Sequence, residues 1–310
     1  MVDLRVVGPV IRDITDISHP KTVGALGGIP QVRFISATEQ SYIEACLPFR
    51  APLGGSPRSE VVGTSGTCIA AIAWSPDGRD FAYLAVNRQQ NTEVHIVRGG
   101  SDRLVATSSR LPATPSVYFS PCQTQTCADA NDFQFTYSPD GGVIMWAQDL
   151  TSTFRIWTRD GAEVTPHVGR TFMPIWSGSS IFFQDSKGIE AFRDGKVSQF
   201  LPSVTWIRPK ASPTGDRLVY ESRDQGGLAH TYVVDTSTAK VRELGAGRGE
   251  PAFLTSRYIW NQGERMCVGS ERCDLGVVKP TGKTYIYDLQ DGTESESIIT
   301  SVYDIWPHPA

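Results

Sequence analysis

"AWSPDGRDFAYLAV", residues 73–86, is the stretch whose reading decides the fold. A strand ending in Trp runs into a Ser-Pro-Asp-Gly turn, where Pro presets φ and Gly accepts φ > 0, and a second apolar strand follows. The same grammar returns as "TYSPDGGVIMWAQ" at 136–148 and "KASPTGDRLVYES" at 210–222. Anchored on the residue that ends the first strand, the units fall at Ser36, Ser75, Ser138, Ser177, Ser212, Thr255 and Trp306, at intervals of 39, 63, 39, 35, 43 and 51 residues. The chain is therefore written with a base period of about 40 residues, lengthened in places.

Each period continues in the same way. Second strands are "DFAYLAV", "GVIMWAQ", "SIFFQ", "RLVYES" and "RYIWNQ"; third strands are "TEVHIV", "TFRIWT", "GIEAF", "HTYVVD" and "KTYIYD". A shorter, more polar fourth strand ("RLVATS", "KVSQF", "KVRELG") closes the unit. Period-2 alternation dominates and helical periodicity is nearly absent. Four antiparallel strands per repeat predict an all-β fold, a single β-propeller over residues 1–310. Seven blades are expected, with six as the alternative. "LRVVG", "VIRDITDI" and "KTVGAL" near the start read as later strands without an anchor, and "SVYDIWPHPA" at the end as an anchor without later strands. The two terminal stretches are thus expected to share one blade, closing the ring and removing its sheet edges.

"WSPDG" followed by a strand and then a "YVVD"-like strand resembles the WD40-like (PD40) repeat of the TolB-type propellers, most sharply in the units near residues 72, 135 and 209. The resemblance implies a protein-interaction platform, and rings of that type usually have six blades. The α/β domain that precedes the propeller in the family's namesake has no counterpart in these residues.

Composition narrows the function classes. With 40% hydrophobic and 20% charged residues the chain can bury a sizeable core, and its formal net charge of −4 offers no basic field for nucleic acid or anionic lipid. The longest apolar run, "CIAAIAW" at 68–74, is too short for membrane insertion. No export signal opens the sequence. The six cysteines fall into the close pairs Cys122/Cys127 and Cys267/Cys273, leaving Cys46 and Cys68. Such a set reads as local disulfides, which persist in oxidising compartments, so an extracytoplasmic protein is expected, its export signal absent from this chain. A zinc site from the two close pairs would call for tighter spacing and a nearby His, and buried free thiols are the third reading.

In a propeller blade with strands A to D counted outward, the A–B and C–D turns share one face and the B–C and D–A connections the other. The surplus residues 111–132, 263–282 and 48–60 are expected on the second face, together with all six cysteines. Binding residues concentrate on such loops. That face is expected to take a protein or peptide partner.

Other candidates have plainer readings. Asp77 and Asp140 recur at one repeat position and read as turn caps. Asp129, Asn131 and Asp132 lack the Gly and terminal Glu of a calcium loop. "GTSGT" at 63–67 lacks the spacing of a nucleophile elbow. His19, His95, His167, His230 and His308 show no metal-ligand spacing; His95 and His230 read as equivalent third-strand packing residues. Most of the seven tryptophans lie in predicted strands, where packing between blades is expected. Polar residues of the A strands, namely Arg33, Gln134, Arg208, Lys210, Glu250 and Asp304, are expected at the channel mouth, where Arg33, Arg208 and Lys210 would hold a small anionic group or a partner's acidic side chain. The leading expectation is a non-catalytic, monomeric propeller without cofactor or metal. The alternatives are a lactonase-like hydrolase with a metal or acid/base site at the channel mouth, and a gating propeller domain of a larger hydrolase.

Overall fold

A computed structural model describes residues 2–3, 10–25, 33–44, 46–53, 55–56, 58–60, 68–87, 89, 91–108, 133–138, 141–147, 154–166, 168–269, 273, 277–300 and 302. These residues form strands and turns, and no helix is long and apolar enough to cross a membrane.

Seven antiparallel meanders are described in chain order. Strands β1 (Val2–Asp3), β2 (Val10–Asp13) and β3 (Lys21–Ala25) make a three-stranded sheet. A four-stranded sheet follows, β4 (Arg33–Phe34), β5 (Glu39–Glu44), β6 (Leu47–Pro52) and β7 (Arg58–Ser59). The next comprises β8 (Cys68–Trp74), β9 (Phe81–Val86), β10 (Thr92–Arg98) and β11 (Ser101–Ser108). Three strands, β12 (Phe133–Tyr137), β13 (Val143–Ala147) and β14 (Arg155–Trp157), form the fourth sheet. The fifth holds β15 (Phe172–Ser177), β16 (Ser180–Asp185), β17 (Gly188–Arg193) and β18 (Lys196–Pro202). The sixth holds β19 (Ile207–Ala211), β20 (Arg217–Arg223), β21 (Ala229–Asp235) and β22 (Val241–Ala246). The last holds β23 (Arg248–Phe253), β24 (Tyr258–Met266), β25 (Val278–Asp288) and β26 (Thr293–Ser297).

The repeated turn works as its residues dictate. Gly78, Gly141 and Gly215 sit at φ of 68°, 93° and 68°, and each donates its N–H to the carbonyl of the anchor serine three residues back, at 2.9, 3.0 and 2.9 Å. Asp77 accepts from the Ser75 hydroxyl at 2.6 Å and from the Arg79 N–H at 3.1 Å. Where Thr214 replaces that aspartate, Asp216 takes the Ser212 hydroxyl at 2.8 Å. Asp140 lies outside the described residues. At Gly78 a Cβ would stand 2.6 Å from the Ile35 carbonyl oxygen, so this turn abuts the preceding sheet and tolerates only glycine.

The second strand β9 is buried along its whole length, and β16, β20 and β24 over most of theirs; the core lies in wedges between consecutive sheets. First strands neighbour one another in sequence: β8 packs on β12, β12 on β15, β15 on β19 and β19 on β23. Ile35 joins Ile69, Trp74, Phe81 and Tyr83 in one wedge; Val219 and Val233 join Phe253, Ile259 and Leu289 in another. Polar links cross the same seams, such as the Trp74 indole N–H donating to the Ser41 hydroxyl at 2.7 Å. Ile14 and Ile17, after β2, pack with Val302 against Leu254, Trp260, Ile286 and Ile299 of the last sheet. Residues 303–310 are outside the described set, and with them the expected pairing of a C-terminal strand.

One loop expectation is corrected. Residues 48–60 are not a connection that follows a second strand. "LPFRAP" is the third strand β6, Arg58–Ser59 the fourth, and their turn lies on the face of the Ser-Pro-x-Gly turns. Burial of Pro48 and Ala51 and stacking of Tyr42 on Phe49 (centroids 5.4 Å apart) hold "LPFRAP" in the sheet despite its two prolines.

Candidate functional site

The second face is stapled where it is described. Cys46, in the β5–β6 turn, is disulfide-bonded to Cys68, the first residue of β8, so the bond joins two neighbouring sheets. The Ile69 N–H donates to the Cys46 carbonyl at 3.1 Å beside it. Cys267 is bonded to Cys273 in the tip between β24 and β25. These two strands outrun their sheet: beyond a bulge they keep pairing through Glu264↔Pro280, Arg265↔Lys279 and Met266↔Val278. The result is a hairpin arm whose tip is closed by the disulfide. Both bonds lie on the B–C and D–A face; Cys122, Cys127 and residues 111–132 lie outside the described residues.

The arm leans on the β20–β21 turn of the neighbouring sheet. A Cβ on Gly227 (φ 86°) would come within 2.8 Å of Val277 Cγ2, and one on Gly226 within 3.6 Å of Met266 Cε. Glycines here let arm and turn approach closely.

Beneath the arm, the inner strands carry a feature absent from the sequence reading. β15, β19 and β23 each slip register by one residue, between Phe172 and Ile175, Ile207 and Lys210, and Gly249 and Ala252. In each bulge the residue before a buried proline has φ near +50°: Met173 (48°), Arg208 (52°) and Glu250 (52°). Proline brings no N–H to the ladder, which suits an unpaired position, and left-handed non-glycine residues concentrate at functional sites.

Two of these bulge residues meet. Arg208 Nη1 lies 3.2 Å from Glu250 Oε1 and 3.5 Å from Glu221 Oε2. Glu221 is completely buried; its Oε2 also accepts the Glu250 N–H at 3.0 Å, and its Oε1 lies 2.7 Å from Arg223 Nη2. Arg223 in turn donates to the Gly227 carbonyl at 2.7 Å and to Glu264 at 3.2 and 3.3 Å. Burial alone would lower the Arg223 pKa, but the charges of Glu221 and Glu264 outweigh it and raise it. Three carboxylates and two guanidiniums thus form one network from the inner strands to the base of the arm.

Of the six residues expected at the channel mouth, the structure brings Arg208 and Glu250 together and places Lys210 two residues along the same strand. Arg33 and Gln134 begin or follow the start of β4 and β12, their side chains outside the described residues, as is Asp304 altogether. Glu221, Arg223 and Glu264 were not foreseen. For Glu221 and Arg223 the signal was present in "RLVYESR", where charges of opposite sign stand at alternate positions after an apolar run. Among the described residues no cluster of three or more His, Cys, Asp or Glu is arranged to hold a metal.

His95 and His230 both lie against tyrosine rings, but they are not equivalent. His95 pairs with Tyr83, eight residues past its anchor Ser75; the residue paired with Tyr220, eight past Ser212, is Tyr232. Tyr232 therefore holds the place of His95, and both stack on their tyrosines, with centroids 5.4 and 4.5 Å apart. His230 lies elsewhere on β21, with Nδ1 2.8 Å from Glu243 and Nε2 3.4 Å from Asp224.

No family model and no curated protein matches the sequence. Solved structures do. An oligogalacturonate lyase from Vibrio parahaemolyticus is similar over 90% of this chain and 80% of its own, at 11% identity and a TM-score of 0.57. The β-propeller domain of the Trilobed protease from Pyrococcus furiosus is similar over 89% of this chain and 86% of its own, at 13% identity and a TM-score of 0.54. TolB from Acinetobacter baumannii matches at 13% identity and a TM-score of 0.45 over 86% of this chain and 65% of its own, so the chain spans less than two thirds of TolB. Identities this low speak for architecture alone, and on the two better superpositions the chain has the β-propeller fold.

Proposed function

We propose that residues 1–310 form one seven-bladed propeller domain that works outside the cytoplasm and binds a protein or peptide partner through its disulfide-stapled face. The observation that carries this reading is the placement of both described disulfides and the β24–β25 arm on one face. A disulfide that only closes a surface loop is best explained where the loop must keep a shape. Packing of Ile14, Ile17 and Val302 on the last sheet supports a ring closed by the terminal segments. A hydrolase at the channel mouth is the weaker reading, because among the described residues the buried Glu221 carboxylate is ion-paired with Arg208 and Arg223, and its Oε2 also accepts the Glu250 N–H.

Photo-crosslinking tests the proposal. A benzophenone amino acid at exposed Val268 on the arm, in protein produced in its own host and exported, should give a discrete heavier species. The same probe at Gly195, in the β17–β18 turn on the opposite face, should give none. Adducts from Gly195 alone, or from neither position, would remove the partner face. Alkylation mapping supplies the compartment test: free thiols at all six cysteines of the exported protein would overturn the extracytoplasmic assignment.

A further inference from the structure

On the face away from the arm, a cleft of about 230 Å³ opens between the sheets β4–β7 and β8–β11. Its floor is apolar, formed by buried Phe81 and Val97; its walls carry Arg50, Arg58, Arg79 and Glu60. The three guanidiniums differ in state. Arg50 is fully engaged: Nε and Nη2 donate to Glu39, Nη1 donates to the Gly78 carbonyl at 3.2 Å, and the group lies over the Trp74 ring. Arg58 and Arg79 are not. The nearest carboxylate oxygens to Arg58 are those of Glu39 at 3.7 Å and Glu60 at 3.9 Å. Arg79 Nε stands 3.7 Å from Asp77, whose other oxygen already caps the turn. These separations lie beyond hydrogen-bond range. Neither side chain is packed in place, at 66% and 85% exposure.

A planar fork of donors without a geometric match, set twice around an apolar floor, fits a carboxylate whose carbon body is apolar. The volume is below that of an ordinary drug-sized pocket, so the occupant is no larger than one amino-acid residue. We propose that this cleft binds a small apolar carboxylate, with Arg58 and Arg79 closing on the carboxylate and Phe81 and Val97 receiving the side chain. The chemistry is shared by a free branched-chain acid and by the C-terminal residue of a polypeptide. The site is independent of the partner face, and its failure would leave that reading untouched.

Calorimetric titration with N-acetyl-L-leucine, its amide, and the tripeptide acetyl-Gly-Gly-Leu as acid and amide provides the test. Expected are an affinity of about millimolar for an acid and binding at least about tenfold weaker for its amide. The double variant R58Q/R79Q should lose about tenfold for the acid, with a thermal midpoint within about 1 °C of the parent, as befits exposed side chains. Tighter binding of the tripeptide acid than of N-acetyl-leucine identifies a chain terminus; the reverse order identifies a free acid. Equal affinity for acids and amides, no binding of either acid, or an R58Q/R79Q variant that binds like the parent would overturn the proposal.

Discussion

The buried charge network makes a quantitative prediction through Arg223→Met. Methionine fills much of the arginine stem's volume but removes the one cation that touches Glu221, Glu264 and the Gly227 carbonyl together. Glu221 is wholly buried and the Glu264 side chain only 10% exposed, so water cannot replace the lost partner fully. Breaking a buried pair from one side costs about 3–5 kcal/mol. An unfolding entropy of about 2.1 cal/mol/K per residue, taken over the 310 residues, converts this into a thermal midpoint lower by about 5–8 °C. The loss should depend on pH with a definite sign. Without Arg223 two buried carboxylates must carry their charge with one cation fewer, so the destabilisation is full at neutral pH, where the unfolded chain is ionised. It fades as pH falls toward the unfolded carboxylate value of about 4.3. Scanning calorimetry of parent, Arg223→Met and the double variant Glu221→Met/Arg223→Met checks this, the double variant recovering at least half of the loss. A midpoint within about 1 °C of the parent at neutral pH, or a double variant worse than the single, would refute the account of a coupled network.

Three further outcomes follow from the geometry. Replacing Cys46 and Cys68 by alanine releases a loop spanning 22 residues and should cost about 3 kcal/mol, against about 2 kcal/mol for the separation of 6 in Cys267–Cys273, read as denaturation midpoints with and without reductant. Gly78→Ala adds a clash with the Ile35 carbonyl to a left-handed φ, whereas Gly99→Ala, at φ 54° with nothing within 4 Å, adds strain alone. The first should cost at least about 2 kcal/mol and the second about 1 kcal/mol by urea unfolding. Glu243, with help from Asp224, holds the His230 pKa above 6.5. Its stabilisation is therefore full below about pH 6.5 and lost as pH rises through the raised folded value; titration of the imidazole by NMR and a flatter stability profile for His230→Gln check it.

The sequence disclosed what is local. Gly at a left-handed position, Pro before it and alternation after it are decisions taken within a dozen residues, so 73–86 and 210–222 read correctly without tertiary information. Pairing register is not local. The slip between Ile207 and Lys210 depends on how β19 meets β20, and the equivalence of His95 with Tyr232 on counting across two strands. "LPFRAP" misled because its prolines argue against a strand, while burial against β5 overrides them. For the site, the A-strand residues Arg208, Lys210 and Glu250 were legible from their place before the anchors. Their partners Glu221, Arg223 and Glu264 belong to second strands, and only folding brings them under the arm.

The Met-Pro, Arg-Pro and Glu-Pro bulges carry a consequence for how such a scaffold diversifies. Because the ladder register slips across the extra residue, its side chain is exempt from the alternation that ties its neighbours to core or solvent. Met173, Arg208 and Glu250 already show an apolar, a cationic and an anionic occupant on one backbone conformation. A lineage can thus change the chemistry presented at one level of the inner strands by single codon replacements, while the hydrogen-bonded frame around it inherits unchanged.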